Sequence, residues 1–144
     1  MQSKPLTPKL SVGPQISAAD MAEAARWFGA IINNRPDDEE PDQPSSAELE
    51  AEAKRLGLAY RHIPIIPGQL DEQGVQAFGE AVDQLGGPIF AFCRTGARAA
   101  SLWALSQADQ DDTDRILTTA KQAGYDLTSL RPRLDAAATT SSGT

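Results

Sequence analysis

The residues best equipped for chemistry lie in one stretch, Phe90-Ala91-Phe92-Cys93-Arg94-Thr95-Gly96-Ala97-Arg98, which holds the only cysteine of the chain. A thiol followed by two arginines and a glycine suits nucleophilic attack on an anion. The apolar run Ile89–Phe92 reads as a buried parallel strand, which delivers Cys93 to its carboxyl end where a helix begins. Backbone N–H groups at a helix N-terminus attract anions, so that end, with Arg94 and Arg98, favours the thiolate over the thiol. A lone cysteine at a strand end also suits the role of a small buried hydrophobe. The two arginines argue against that role, because an inert core position gains nothing from a desolvated guanidinium. Cys93 and Arg98 are therefore the catalytic pair, and Arg94, Thr95, Gly96 and Ala97 form the anion-binding loop.

The elements that must position this loop are readable on both sides of it. Residues 1–8 carry two prolines and no periodicity, and read as an extended arm. Leu10, Ser11 and Val12 form a short strand ending at Gly13-Pro14. Ser17 with Asp20 makes a capping-box pattern, and Met21, Ala24, Ala25 and Phe28 recur at helical spacing up to Gly29. Ala30–Asn33 is a second apolar strand. It empties into 34–44, whose three prolines exclude regular structure and whose acidic run reads as a solvated loop. Ser45 with Glu48 opens a helix carrying Leu49, Ala53 and Leu56 up to Gly57, and residues 58–63 follow as a strand. Leu70-Asp71 opens a helix with Val75, Phe78, Val82 and Leu85 on one face, ended by Gly86-Gly87.

Beyond the loop, Leu102, Trp103 and Leu105 continue a buried helix. Asp112 caps another with Ile116, Leu117 and Ala120 up to Gly124, and Thr128 caps a last one with Leu130 and Leu134. Residues 9–135 thus form a single catalytic domain, and 136–144 are expected to be a disordered tail. The alternation predicts an α/β fold with a central, mostly parallel sheet of about four to five strands and helices packed around it. Active residues then gather at strand carboxyl ends: the Asn33-Asn34-Arg35 turn, the turn at 64–69 and the Cys93 loop.

Composition narrows the function classes. With 144 residues, 40% hydrophobic and 23% charged, the chain suits one globular domain. A net charge of -7 argues against a nucleic-acid surface, and no apolar run approaches the roughly 18 residues of a membrane span. A single cysteine forbids an internal disulfide and suits a reducing compartment, and Met1 to Pro5 lack the apolar core of a secretory signal. The expected location is therefore cytoplasmic. One Cys and one His cannot supply a zinc site, so neither metal nor cofactor is expected. The expected partner is a small anion, with no nucleic acid and no membrane. Nothing in the sequence speaks to oligomeric state.

Cys93-Arg94-Thr95-Gly96-Ala97-Arg98, together with Ser11-Val12-Gly13-Pro14-Gln15, Ile31-Ile32-Asn33-Asn34-Arg35-Pro36 and Leu102-Trp103-Ala104-Leu105, resembles the phosphatase-like domain of beta-lactamase-like hydrolase proteins, over roughly residues 9–125. The resemblance implies a fold like that of protein tyrosine and dual-specificity phosphatases, and an activity that family naming divides between phosphatase and sulfurtransferase. Cysteine-dependent phosphatases use a Cys-x5-Arg loop, a histidine before the nucleophile and an aspartic acid on a separate loop. Here the spacing from Cys93 to Arg98 is Cys-x4-Arg, similar to the active loop of rhodanese sulfurtransferases, and Phe92 precedes the cysteine. The turn at 64–69 holds no acid before Asp71, which suits a helix cap. An alkoxide leaving group needs a proton, whereas sulfite or a thiolate does not.

On these grounds the favoured expectation is sulfur transfer. Cys93 takes sulfane sulfur from a small anionic donor as a persulfide and passes it to a small nucleophile or thiol. The alternative is a phosphatase acting on a phosphoester through a phosphocysteine on Cys93, with Asp37, Asp38 or Asp71 as substitute acid. A third is a catalytically weak domain that binds oxyanions or a partner. Asn33, Arg35 and Gln69 are candidate substrate contacts, and Arg35 serves equally as a salt-bridge partner of the acidic turn. His62, in an apolar strand, suits a structural hydrogen bond better than a base. Trp103 suits the core.

Overall fold

Ile31 and Phe90 lie next to each other on the two central strands with no exposed surface, and their chain neighbours Ile32, Ile89 and Ala91 are equally buried. Residues that alternate in this way and are buried on both faces need a parallel sheet covered on both sides. The computed structural model describes the backbone of residues 1–142 and the side chains of residues 1–138. Its five strands are β1 (Lys4–Pro5), β2 (Leu10–Gly13), β3 (Ala30–Asn33), β4 (Ala59–His62) and β5 (Ile89–Phe92), in the order β1-β2-β5-β3-β4. The pairs β2–β5, β5–β3 and β3–β4 are parallel, and only the edge strand β1 runs antiparallel. This is the expected α/β fold.

Helices α1 (Met21–Trp27) and α2 (Ser46–Arg55) cover one face, where Met21, Ala24, Leu49 and Ala53 pack on Ile31, Phe90 and Phe92. The other face carries α3 (Glu72–Gln84), α4 (Ala97–Ser106), α5 (Thr113–Gln122) and α6 (Arg131–Ser142), whose Phe78, Leu102, Ile116 and Leu134 pack with Ile32, Ile89 and Ala91. Each such buried large side chain contributes about 1.5–3 kcal/mol, so the carboxyl ends of β3 and β5 are held by the best-anchored part of the molecule. Those ends are tied together directly. Asn34 N–H donates to the Phe92 carbonyl at 2.8 Å, and Ile65 N–H donates to the Asn34 carbonyl at 3.0 Å.

Local signals explain most helix boundaries. Ser45 Oγ accepts from Glu48 N–H at the start of α2, Asp71 accepts from Gly74 N–H in α3, and Asp112 accepts from Asp114 N–H in α5. Ser17 and Asp20 form their reciprocal bonds, but in the turn before α1, which starts at Met21.

Three expectations differ from the structure. The arm at 1–8 is partly in the sheet, since Lys4 and Pro5 pair with Val12 and Ser11. The helix expected at Thr128 is a 3-10 turn, Thr128–Leu130, that leads into α6. Where a disordered tail was expected from Ala136, α6 continues to Ser142, as its alanines favour once Leu134 is anchored in the core; Gly143 and Thr144 lie outside the described residues. Among the described residues no helix is long and apolar enough to cross a membrane.

Candidate active site

The chain leaves β5 at Phe92 and enters α4 at Ala97, so the loop between them has four residues in which to reverse its backbone. Gly96 makes that possible with φ of +97°, a conformation that disfavours any side chain. Space forbids one as well, because a Cβ there would meet the Tyr125 hydroxyl at 2.1 Å. Tyr125 also donates from that hydroxyl to the Thr95 carbonyl at 3.1 Å, which braces the loop from behind. Thr95 Oγ1 accepts from Ala97 N–H at 3.2 Å.

Cys93 lies beneath this loop with 1% of its surface exposed, and Gly96 N–H donates to its Sγ at 3.1 Å. Above it, Arg98 donates from NH1 and NH2 to the two oxygens of Glu39 at 2.7 and 2.9 Å, and from NH1 to the Ile65 carbonyl at 2.8 Å. Hydrogen bonding to Arg98 holds the Glu39 carboxyl below the usual carboxylate range, against the opposing effect of burial, with Arg35 adding to the lowering. The same bond raises Arg98, burial opposes it, and attraction to Cys93 adds to the rise. Burial, and then the charge at Cys93, push the Tyr125 phenol up.

Arg35 is 3% exposed at the end of β3. Its Nε donates to Glu39 Oε1 at 2.8 Å, NH1 to Gln15 Oε1 at 3.0 Å and NH2 to Glu40 Oε1 at 2.6 Å. Its own backbone is fixed from both sides. Its N–H donates to Asn33 Oδ1, and its carbonyl lies 2.9 Å from His62 Nε2. Arg94, 67% exposed, reaches Glu40 at 3.2 Å. A cleft of about 610 Å³ results, with Arg35, Arg94 and Arg98 on one side of its charge balance, Glu39 and Glu40 on the other, and Pro67 and Gly68 in its rim.

The structure therefore brings together Cys93, Arg94, Thr95, Gly96, Ala97, Arg98 and Arg35. Other candidates are engaged elsewhere. Asn33 is buried and donates to the Tyr60 hydroxyl at 3.0 Å, while Gln69 is exposed in a neighbouring hollow with Ile66 and Gln73. Asp37 Oδ1 accepts from Ser46 N–H at 2.8 Å and Asp71 Oδ1 from Gly74 N–H at 2.8 Å, so both carboxylates serve helix starts. Asp38 is exposed, at φ of +64°. His62 and Trp103 take the structural places expected of them.

The acidic run departs from expectation in part. Asp37, Asp38, Glu40 and Asp42 are exposed as expected, but Glu39 is partly buried, and Glu39 and Glu40 together bind all three arginines. Opposite charge decides this, since three guanidinium groups at the strand ends would repel one another without carboxylates between them. The salt bridge expected between Arg35 and the acidic turn is formed by Glu39 and Glu40; sequence reasoning missed their pairing with Arg94 and Arg98, and missed Gln15 and Tyr125. For the glutamates the signal was Arg35 at a strand end with acids four and five residues on. Tyr125 gave none. Among the described residues, no group of three or more His, Cys, Asp or Glu converges as a metal site.

A family profile described as the phosphatase-like domain of beta-lactamase hydrolase-like protein matches residues 3–110. The beta-lactamase hydrolase-like protein of Xylella fastidiosa Temecula1 is 38% identical over 106 residues, 72% of this chain and 25% of that protein. Its namesake in Agrobacterium fabrum C58 is 33% identical over 130 residues, 88% of this chain and 30% of the other. The chain thus spans 25–30% of the length of these relatives. Among solved structures, a phosphatase candidate from Neisseria meningitidis Z2491 matches with a TM-score of 0.83 and 33% identity, covering 93% of this chain and 96% of that one. A mutant form of Tk-PTP matches with a TM-score of 0.79, covering 99% and 98%, at 15% identity, which speaks to fold alone.

Proposed function

The chain belongs to the phosphatase-like domain family of beta-lactamase hydrolase-like proteins, and from that premise we propose that it is a cysteine-dependent hydrolase of phosphoesters whose leaving group departs without a proton. The carrying observation is the buried Cys93 thiol under a backbone N–H, with the Arg98 guanidinium over the same loop. The Cys93 thiolate attacks phosphorus, the leaving group departs with the bonding electron pair, and water then cleaves the S–P bond to release phosphate. Arg98 and the loop N–H groups offset the charge that grows on the phosphoryl oxygens. This order reverses the preference for sulfur transfer drawn from loop spacing. The family match and the Neisseria neighbour support phosphatase-like chemistry, and neither supports a sulfurtransferase.

The leaving group is limited by what surrounds the cleft. Glu39 is held as a carboxylate by two arginines, and Asp37 and Asp71 cap helices, so none of these is poised as a general acid. Aryl phosphates and acyl phosphates, whose leaving groups are stable anions, fit that limit. The same observation favours a second reading, sulfur transfer through a Cys93 persulfide, because sulfite and thiolates also leave unprotonated.

Mass spectrometry after brief exposure to p-nitrophenyl phosphate, acetyl phosphate or thiosulfate separates the two. A phosphoryl group on Cys93, absent in Cys93→Ser, is the expected result. One added sulfur from thiosulfate, with no phosphoryl adduct, would establish the second reading, and no adduct from any donor would sink both.

A further inference from the structure

A guanidinium has five N–H donors in one plane, and what holds some of them decides where the rest point. In Arg98, two donors go to Glu39 and one to the Ile65 carbonyl. The Nε–H and one NH2 hydrogen are left for the loop, and Cys93 draws on the same group. Glu39 is not free to follow Arg98 about, because its Oε1 also accepts from Arg35, which is buried and bonded in turn to Gln15 and Glu40.

We propose that Glu39 is the positioning residue of the anion loop: gripping the outer edge of Arg98 and anchored by buried Arg35, it aims the remaining Arg98 donors at the anion that Cys93 attacks. The inference rests on the Cys93 loop being an anion site and is indifferent to whether phosphorus or sulfur is transferred. It has a rival with opposite sign. Were Glu39 only a neutralising charge, its removal would leave the cleft more positive and better at drawing anions.

Alkylation of Cys93 by iodoacetate and by iodoacetamide tests this. Both reagents form the same S–C bond and release iodide, and they differ in charge, so the ratio of their rates cancels the thiolate population and reports anion guidance. Glu39→Gln is expected to lower the ratio about tenfold, the equivalent of one charge-assisted hydrogen bond at the low end of its range, while the iodoacetamide rate stays within about twofold. Glu39→Asp keeps the charge but withdraws the carboxylate by one methylene. The ratio is expected to fall there too, and this variant carries the test should the glutamine variant not fold. A ratio that rises or holds in either folded variant overturns the positioning role. A wild-type ratio no higher than that of free cysteine overturns the anion loop on which the proposal stands, and so separates the two failures.

Discussion

Two segments meet across the cleft, and they are built on different terms. The loop from Cys93 to Arg98 is short, enters a helix, and is shaped by a positive φ at Gly96, a bond from Gly96 N–H back to Cys93, and one outside brace, the Tyr125 hydroxyl on the Thr95 carbonyl. The acidic turn from Pro36 to Pro44 has no regular structure; Gln43 ties it internally to Glu39 N–H and the Pro36 carbonyl, and its carboxylates reach arginines as far off as Arg98, 59 residues away. As proposed above, the first would carry the reactive thiol and the second would aim the charge around it, and the buried Arg35 anchors the second.

That division can be broken from either side. The largest effect is expected from Arg98→Ala, which removes the partly buried link between the two segments and leaves only the exposed Arg94–Glu40 pair; turnover of an aryl phosphate should fall about 10²–10³-fold, read from kcat/KM. Next comes Arg35→Met, which keeps the volume and removes the buried anchor of the acidic turn. Losing a buried cation with bonds to two carboxylates should lower stability by about 2–3 kcal/mol in urea unfolding, since both partners retain some water. Asp71→Ala separates a helix cap from a general acid: about 1 kcal/mol of stability should be lost with turnover unchanged, and a large loss of turnover would reinstate Asp71 as the acid.

The smallest effect is in acid. The Glu39 carboxyl is held below its ordinary 4.5, so its pairing stabilises the folded turn above that pH and the contribution fades as pH falls through the lower folded value. Thermal melts of wild type should therefore lose ground against Glu39→Gln below about pH 4.5.

The same contrast explains what could be read from the sequence. β3 and β5 lie where apolar runs place them, because a strand buried on both faces is written in consecutive residues. Helices α2, α3 and α5 begin at their capping residues for an equally local reason. The placement of the Cys93 loop between β5 and α4 was readable in the same way. The two-residue β1 was not, since Lys4 and Pro5 become a strand only through Val12 and Ser11. The pairing of the acidic turn with Arg35 was legible from their closeness in sequence, but its reach to Arg94 and Arg98, more than fifty residues on, was not.

Tyr125 has a consequence for where this unit can be cut. The matched family span closes at residue 110, before α5 begins at Thr113, yet the hydroxyl that covers Gly96 and holds the Thr95 carbonyl comes from beyond it. A chain trimmed to that span would retain every residue from Cys93 to Arg98 and lose the lid on the back of the turn. A fragment that keeps the braced loop is therefore longer than the span that the family profile matches.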